Sequence, residues 1–425
     1  MAVTPGQEVE VLIDKPAAGG RMIARHDGEV LLVAGAIPGE RVVAVVTRAE
    51  KRVAFADTVR VVEPSGDRRA PAGDPGCGGT LYSHIAYDRQ VQLKAEIIRD
   101  AYTRIGRIAV EDQIEVHPST ERGYRMRARF HVRDGRPGFY REGTRELCDA
   151  RQTAQLLDAS IDAVEEAVAA LQAQGIETMS VELSENIAAD QRALHLDIRH
   201  APPSADAFDR AIAAAGLVGL TARTTENVFY SAGDPIVSDP LAALTGGRTA
   251  DGTLRRHPQS FFQGNRALLP ALTTAVLDSV RPGATIDLYA GVGLFAVALA
   301  ASGGSGITAV EGDPGSGKDL IRNATPFHDQ LRVVRSSVEA FLAKPFTASP
   351  ANVVIDPPRT GLSKEAGDAI ARSGAGRIVY VSCDAPTMAR DARRLLDGGY
   401  RLVSLRGFDL FPNTPHVETL GVFER

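Results

Sequence analysis

The sequence has no tryptophan and only three cysteines in 425 residues, and aromatic side chains make up just 5% of it. Cys77, Cys148 and Cys383 are odd in number and far apart, which argues against a disulfide framework and for a reducing, cytoplasmic setting. No apolar run approaches the ~18–20 residues that a membrane span needs. The opening MAVTPGQEVEVLID lacks the basic region and apolar core of a signal peptide. An excess of positive charge is also missing. With a net charge of −5 and a pI near 6.0, nothing draws the whole molecule to nucleic acid, and such a partner would have to meet a local basic face. The missing tryptophan, beside abundant alanine, glycine and arginine, fits a GC-rich genome rather than a function.

What remains is the composition of a soluble globular protein, 44% hydrophobic and 24% charged. The chain is too long for one ordinary core, so two or three domains are expected. Residues 1–62 hold short alternating bursts (9–13, 30–33, 41–46 and 55–62) separated by Ala18-Gly19-Gly20, Asp27-Gly28 and Ile37-Pro38-Gly39, the pattern of a small β-barrel. Its basic residues (Arg21, Arg25, Arg41, Arg48, Lys51, Arg52, Arg60) suit an interaction module or a plain solvated surface equally well.

Residues 63–257 begin with a Pro/Gly-rich linker (63–80) and a helical pattern from His84 to about Ile105. YRMRARFHVRDGRPGFYRE then reads as a hairpin turning at Asp134-Gly135. Arg122, Arg125, Arg127, Arg129, Arg133, Arg136 and Arg141 alternate there with Tyr124, Phe130, Phe139 and Tyr140. Arginine with aromatics is how proteins pair phosphates and stack bases of single-stranded RNA; the competing reading turns the aromatics to the core. A helix (153–174) and strands at 179–183 and 193–198 follow.

Residues 258–425 alternate strand and helix repeatedly, the pattern of an α/β, doubly wound parallel sheet. Its chemistry sits at strand ends. DLYAGVG (287–293) follows one strand and opens a helix, with Gly291 and Gly293 allowing a tight turn and close ligand approach. The next strand ends in Glu311, placed to accept hydrogen bonds from a ribose. A further strand ends in DPPRTGL (356–362), a carboxylate walled by prolines that fix φ. The strand after it ends in VSCD (381–384). A lone cysteine is usually a small hydrophobe, but this one shares its sheet edge with a cofactor-type loop and a carboxylate. Glu418, in FPNTPHVET (411–419), is a carboxylate in apolar company that can serve as a base.

Together these motifs resemble the RNA uracil-5-methyltransferase family, over nearly the whole chain. The resemblance implies a Rossmann-like class I methyltransferase domain, an N-terminal RNA-binding barrel of the TRAM type and a central α+β RNA-binding domain. It implies S-adenosylmethionine as cofactor and rRNA or tRNA as partner. It assigns Cys383 as the nucleophile adding to uracil carbon 6 and Glu418 as the base removing the carbon-5 proton. Gln263, Tyr289, Gly291, Gly293, Glu311 and Asp356 match cofactor-holding positions.

The chain also departs from the family. Many members hold an iron–sulfur cluster on four cysteines, whereas only Cys77 and Cys148 fall at such positions here; no cluster and no other metal is expected, the two being left as ordinary thiols. The family's S-C-N-P is Ser382-Cys383-Asp384-Ala385, which sets a carboxylate beside the nucleophile and would raise its pKa unless that carboxylate is paired. Leu294 replaces a common asparagine. Two other readings stay open: a methyltransferase acting on another base or substrate, and a non-catalytic RNA-binding or chaperone relative.

Overall fold

The computed structural model describes residues 3–71, 73–204, 206–249, 252–344 and 348–425. Strands β1 (Glu8–Pro16), β2 (Met22–His26), β3 (Glu29–Ala34), β4 (Arg41–Ala49) and β5 (Val53–Glu63) close into a barrel in the order β1-β2-β3-β5-β4. Alternation fixes its inside: Val9, Val11 and Ile13 of β1 are buried while Glu8, Glu10 and Leu12 face out. Strand β2 escaped sequence reading because its five residues mix Arg25 and His26 with three apolar side chains. Asp27 and Gly28 both have positive φ and make the two-residue turn into β3.

The second segment supplies α1 (Tyr87–Asp100), a π-helical turn (Ala101–Gly106), β6 (Val116–His117), β7 (Arg127–Arg133), β8 (Arg136–Tyr140), β9 (Leu147–Cys148), α2 (Asp158–Gln172), β10 (Thr178–Glu185), β11 (Arg192–Ile198), α3 (Ala207–Ala215), β12 (Gly219–Thr224) and β13 (Phe229–Gly233). Seven of these strands form a sheet ordered β13-β12-β11-β10-β7-β8-β9. One face packs its apolar side chains (Phe130, Leu183, Leu194, Leu196, Leu220) into a core shared with α2 and α3.

The hairpin turns at Asp134-Gly135 as its sequence predicts, and of the two readings of its aromatics the core one holds for three of the four. Tyr124, Phe130 and Phe139 are buried, and Tyr140 already stacks on His131 at 3.7 Å between ring centroids. Strand alternation is the reason: the arginines take one face, so Phe130 is turned to the helices. Arg129 pairs with Asp197 at 3.3 Å and Arg141 with Asp74 at 2.6 Å.

One expectation needs correcting: Cys77 and Cys148 are not ordinary free thiols. Cys77 and Cys148 are joined in a disulfide, with Cα atoms 5.8 Å apart, within the span such a bond needs. They are 71 residues apart in sequence and meet because the linker pairs with the end of the hairpin through Cys77 and Arg141. Counting cysteines could not reveal that contact. With the two paired, the cysteine count no longer argues for a reducing compartment.

The end of the second segment forms the short pair β14 (Val237–Pro240) and β15 (Thr253–Arg256) with α4 (Leu241–Leu244) between them, and Leu241, Leu244 and Leu254 join the core of the third segment. The main α/β run follows: α5 (Leu269–Ser279), β16 (Thr285–Leu288), α6 (Leu294–Ala301), β17 (Ile307–Glu311), α7 (Pro314–Ala324), β18 (Leu331–Arg335), α8 (Val338–Leu342), β19 (Asn352–Ile355), α9 (Lys364–Arg372), β20 (Arg377–Ser382), α10 (Ala385–Asp397), β21 (Arg401–Phe408) and β22 (Glu418–Glu424). The eight-stranded sheet runs β18-β17-β16-β19-β20-β22-β21-β6. Strands β18 to β20 are parallel, while β22 slots in antiparallel between β20 and β21. Strand order reverses between β16 and β19, and such a reversal opens a crevice at the carboxyl ends of the strands. Strand β6 completes the far edge beside β21. Ile98, Ala101 and Tyr102 share an apolar cluster with Tyr380, Ala389 and Ala392, so α1 and the turn after it pack on this third sheet rather than on the second.

Candidate active site

All four residues of β16 are buried, as the central strand of a two-sided sheet requires. Asp287 is one of them. Its Oδ2 accepts the Ala296 N–H at 3.0 Å, and its Oδ1 has no partner among the described residues. Burial, reinforced by Asp356 and Glu311, pushes this carboxyl up to about 8. The chain then turns through Tyr289, Gly291 and Gly293, all at positive φ. The two glycines serve different ends. A Cβ on Gly293 would lie 2.7 Å from Leu320 Cδ1, so helix packing excludes it. A Cβ on Gly291 would meet nothing nearer than Phe261 O at 4.0 Å, which leaves an open cradle over the backbone. Glu311 borders that cradle, accepting Gly291 N–H at 2.7 Å and Asp313 N–H at 2.6 Å. An open glycine turn at a helix start with an acid beside it fits the methionine and ribose parts of an adenosyl cofactor.

Asp356, at the end of β19, accepts a hydrogen bond from Gln263 Nε2 at 3.1 Å, which draws Phe261-Phe262-Gln263 to the same crevice. Cys383 follows β20 and is half-buried. In the antiparallel pair β20–β22, Ser382 stands opposite Thr419. Continuing that register by one residue sets Glu418 opposite Cys383. Glu418 is buried, and its Oε1 has no partner among the described residues.

Three acidic groups thus converge in little space. Burial first, then Glu418 and Asp356, push the Cys383 thiol up to about 12, opposed by the Arg359 guanidinium. Burial and Asp356 hold the Glu418 carboxyl well above the usual carboxylate range. Burial raises Asp356 to about 7 against the Gln263 hydrogen bond.

Asp384, where the sequence leaves its family, has a definite role. It caps α10, accepting Thr387 N–H at 2.9 Å, and it lies 3.5 Å from Arg359 Nε. Aspartate caps a helix as well as asparagine does and also meets the positive end of the helix dipole. It contributes to the Cys383 shift less than Glu418 or Asp356 does.

The segment before Glu418 is tied down by residues that no local pattern marks. Lys94 of α1, wholly buried, pairs with buried Asp409 and donates to Phe411 O at 2.9 Å. Asn413, at φ +62°, accepts from Arg69 and Gln90 at 2.9 Å each through its Oδ1. Gly20 of the barrel sits so close to Pro415 that a Cβ would come within 2.9 Å of it. Barrel, linker and α1 therefore all converge on the loop that delivers Glu418. These partners lie 315 to 344 residues apart along the chain where hydrogen bonds join them, which is why sequence reading missed them.

A doubly wound sheet with a glycine-rich first turn, an acid on the next strand and a thiol opposite a carboxylate defines a methyltransferase of the class I type with a thiol in its crevice. Comparison with known proteins carries this to the family. Residues 2–59 match the TRAM domain and residues 249–425 match the family described as tRNA (uracil-5-)-methyltransferase. An uncharacterized RNA methyltransferase of Streptomyces coelicolor is 32% identical, over 99% of this chain and 93% of its own. A 23S rRNA (uracil(1939)-C(5))-methyltransferase of Alkalilimnicola ehrlichii is 31% identical, over 99% and 97%. Among solved structures, the tRNA (uracil-54, C5)-methyltransferase of Pyrococcus abyssi, in complex with S-adenosyl-L-homocysteine, shares the fold with a TM-score of 0.74 at 22% identity, covering 98% of this chain and 100% of that one. The chain belongs to the S-adenosylmethionine-dependent RNA uracil-5-methyltransferase family.

Proposed function

We propose that this protein converts a uridine of ribosomal or transfer RNA to 5-methyluridine through a covalent adduct on Cys383. The observation that carries the reading is the β20–β22 register, which sets Glu418, buried and with one oxygen unpartnered among the described residues, opposite that thiol. Gln263, Tyr289, Gly291, Gly293, Glu311 and Asp356 would hold the cofactor, which when bound supplies an electrophilic methyl group to carbon 5. The target base must leave its stack to reach the crevice. The Cys383 sulfur, its proton lost to solvent, adds to carbon 6, and the electron pair of the 5,6 double bond moves onto carbon 5 and its neighbouring carbonyl. Once carbon 5 is methylated, Glu418 as carboxylate takes the proton from it. The carbon–sulfur bond then breaks, the double bond re-forms and the thiolate leaves. The relatives named for 23S rRNA are 30–31% identical to this chain and the tRNA enzyme 22%, which favours ribosomal RNA as the first substrate to test.

The test is incubation of 23S rRNA and tRNA with methyl-labelled cofactor, followed by nucleoside analysis. Wild-type protein is expected to form 5-methyluridine and Cys383→Ala to form none. Glu418→Gln is expected to slow turnover by about 10²–10⁴-fold and to accumulate a protein–RNA complex stable in denaturing gels. Full activity of Cys383→Ala would exclude the covalent route.

A further inference from the structure

Helix α10 leads away from Cys383, yet its side chains hold a second part of the site. In residues 359–362, just after Asp356, four backbone polar groups are taken up by side chains of that helix, while Gly361 N–H donates to Pro358 O within the loop at 2.8 Å. Thr387 Oγ1 donates to Arg359 O at 3.3 Å, and Arg390 Nη2 donates to Thr360 O and Leu362 O at 3.1 and 3.2 Å. Leu362 N–H donates to Asp391 Oδ2 at 2.8 Å. Asp391 is wholly buried; the same oxygen accepts the Tyr380 hydroxyl of β20 at 3.0 Å, and Arg390 Nε donates to the other oxygen at 3.0 Å. Gly361, at φ +74°, lies directly against this pair: a Cβ there would be 2.6 Å from Asp391 Oδ2 and 2.7 Å from Arg390 Nη2.

Taking a carboxylate out of water costs several kcal/mol, and an apolar side chain would pack α10 onto the sheet as well. What the carboxylate and its arginine add is position, because their hydrogen bonds are directional and converge on one short loop. We propose that Asp391 and Arg390 are positioning residues for methyl transfer, clamping residues 359–362 to α10 so that Arg359 and Asp356 keep a fixed relation to Cys383. The inference rests on the reading of Cys383 as the nucleophile. Glu418 faces that thiol from β22, Asp356 from the end of β19, Asp384 from the cap of α10, and Arg359 from the clamped loop. Asp356 has a second tether in Gln263. Arg359 is 61% exposed and its guanidinium pairs loosely with Asp384 at 3.5 Å, so it is the group a loosened clamp would release. Because Arg359 is the positive group facing the thiol, its release makes Cys383 harder to ionise.

The test uses the full chain with Arg390→Gln and Asp391→Asn. Both are expected to lower kcat for RNA by about ten- to a hundredfold with little change in KM. Iodoacetamide alkylation of Cys383, followed on its peptide by mass spectrometry, is expected to need higher pH than in wild type. Arg390→Lys, which keeps a donor for the loop, is expected to recover part of both. Should Asp391→Asn fail to fold, Arg390→Gln decides, since that side chain is 46% exposed. A folded Arg390→Gln with unchanged kcat and an unchanged alkylation profile would overturn the proposal. If wild-type protein methylates no RNA, the reading of the reaction falls instead, and alkylation, which needs no RNA, still decides the clamp.

Discussion

In the proposed mechanism Cys383 and Glu418 must each lose a proton to act, and burial and acidic neighbours favour the protonated form of both. Their active forms therefore grow as pH rises. On the proposed mechanism kcat/KM is expected to climb steadily between roughly pH 6 and 9, as an initial-rate profile would record; a fall over that range would reject the assignment of Cys383, which acts before the methyl group is transferred. Asp287 carries a stability consequence of opposite sign. Its folded-state pKa, about 8, lies above the ordinary 3.8, so the folded protein binds the extra proton between those values. Its contribution is present below the lower value and is lost as pH rises through the higher one. Asp287→Asn keeps an acceptor for Ala296 N–H and is expected to flatten that loss in denaturant titrations between those two values. At Asp384 the cap outweighs the charge. Asp384→Asn preserves it and is expected to change stability by less than about 0.5 kcal/mol, with a modestly easier Cys383 ionisation in the alkylation assay.

Among the elements, the turn from β16 into α6 is the most exacting. Gly293 combines φ +97° with side chains at under 3 Å from any added Cβ. Gly293→Ala is expected to cost about 1–3 kcal/mol in backbone strain alone and to weaken cofactor binding, measurable by thermal denaturation and calorimetric titration of S-adenosylmethionine. Strand β22 does what no helix connection could: entering antiparallel between β20 and β21, it starts at the crevice where β20 ends. Its first residue, Glu418, is thereby opposite the residue after β20. Parallel strands joined through helices all enter the sheet from the same side, so a strand beginning at the crevice had to come in reversed.

Across the whole molecule, the three segments meet at the loop carrying Glu418. Lys94 and Asp409 form the most buried of these ties, with Tyr87 donating to the second Asp409 oxygen at 3.0 Å. Lys94→Met leaves Asp409 without its counter-charge in the core. It is expected to cost about 3–5 kcal/mol and to lower kcat beyond what the loss of folded protein explains, a comparison that urea denaturation and active-site titration can make. The barrel adds its own anchors, Arg68 to buried Glu40 at 2.6 Å and Lys15 to Asp100 at 2.8 Å. It is docked beside the loop that carries Glu418, not tethered at a distance.

The amino-acid sequence by itself determined the strand and helix periodicities, the glycine turn at 291 and 293, and the strand-end positions of Glu311, Asp356 and Cys383. These are local features: alternation, helical spacing and turn chemistry act over a few residues. Only the tertiary structure decided the rest. Cys77 bonds to Cys148, three of the hairpin aromatics turn to the core, α1 reaches from the barrel to the eight-stranded sheet, and Glu418 reaches Cys383 through a reversed strand. Each depends on segments meeting from tens to hundreds of residues apart, where packing and strand order choose the partner and no local pattern records the choice. At the centre of both accounts stands Cys383: its place at a strand end is written in VSCD, while the acids that hold its proton come from elsewhere in the fold.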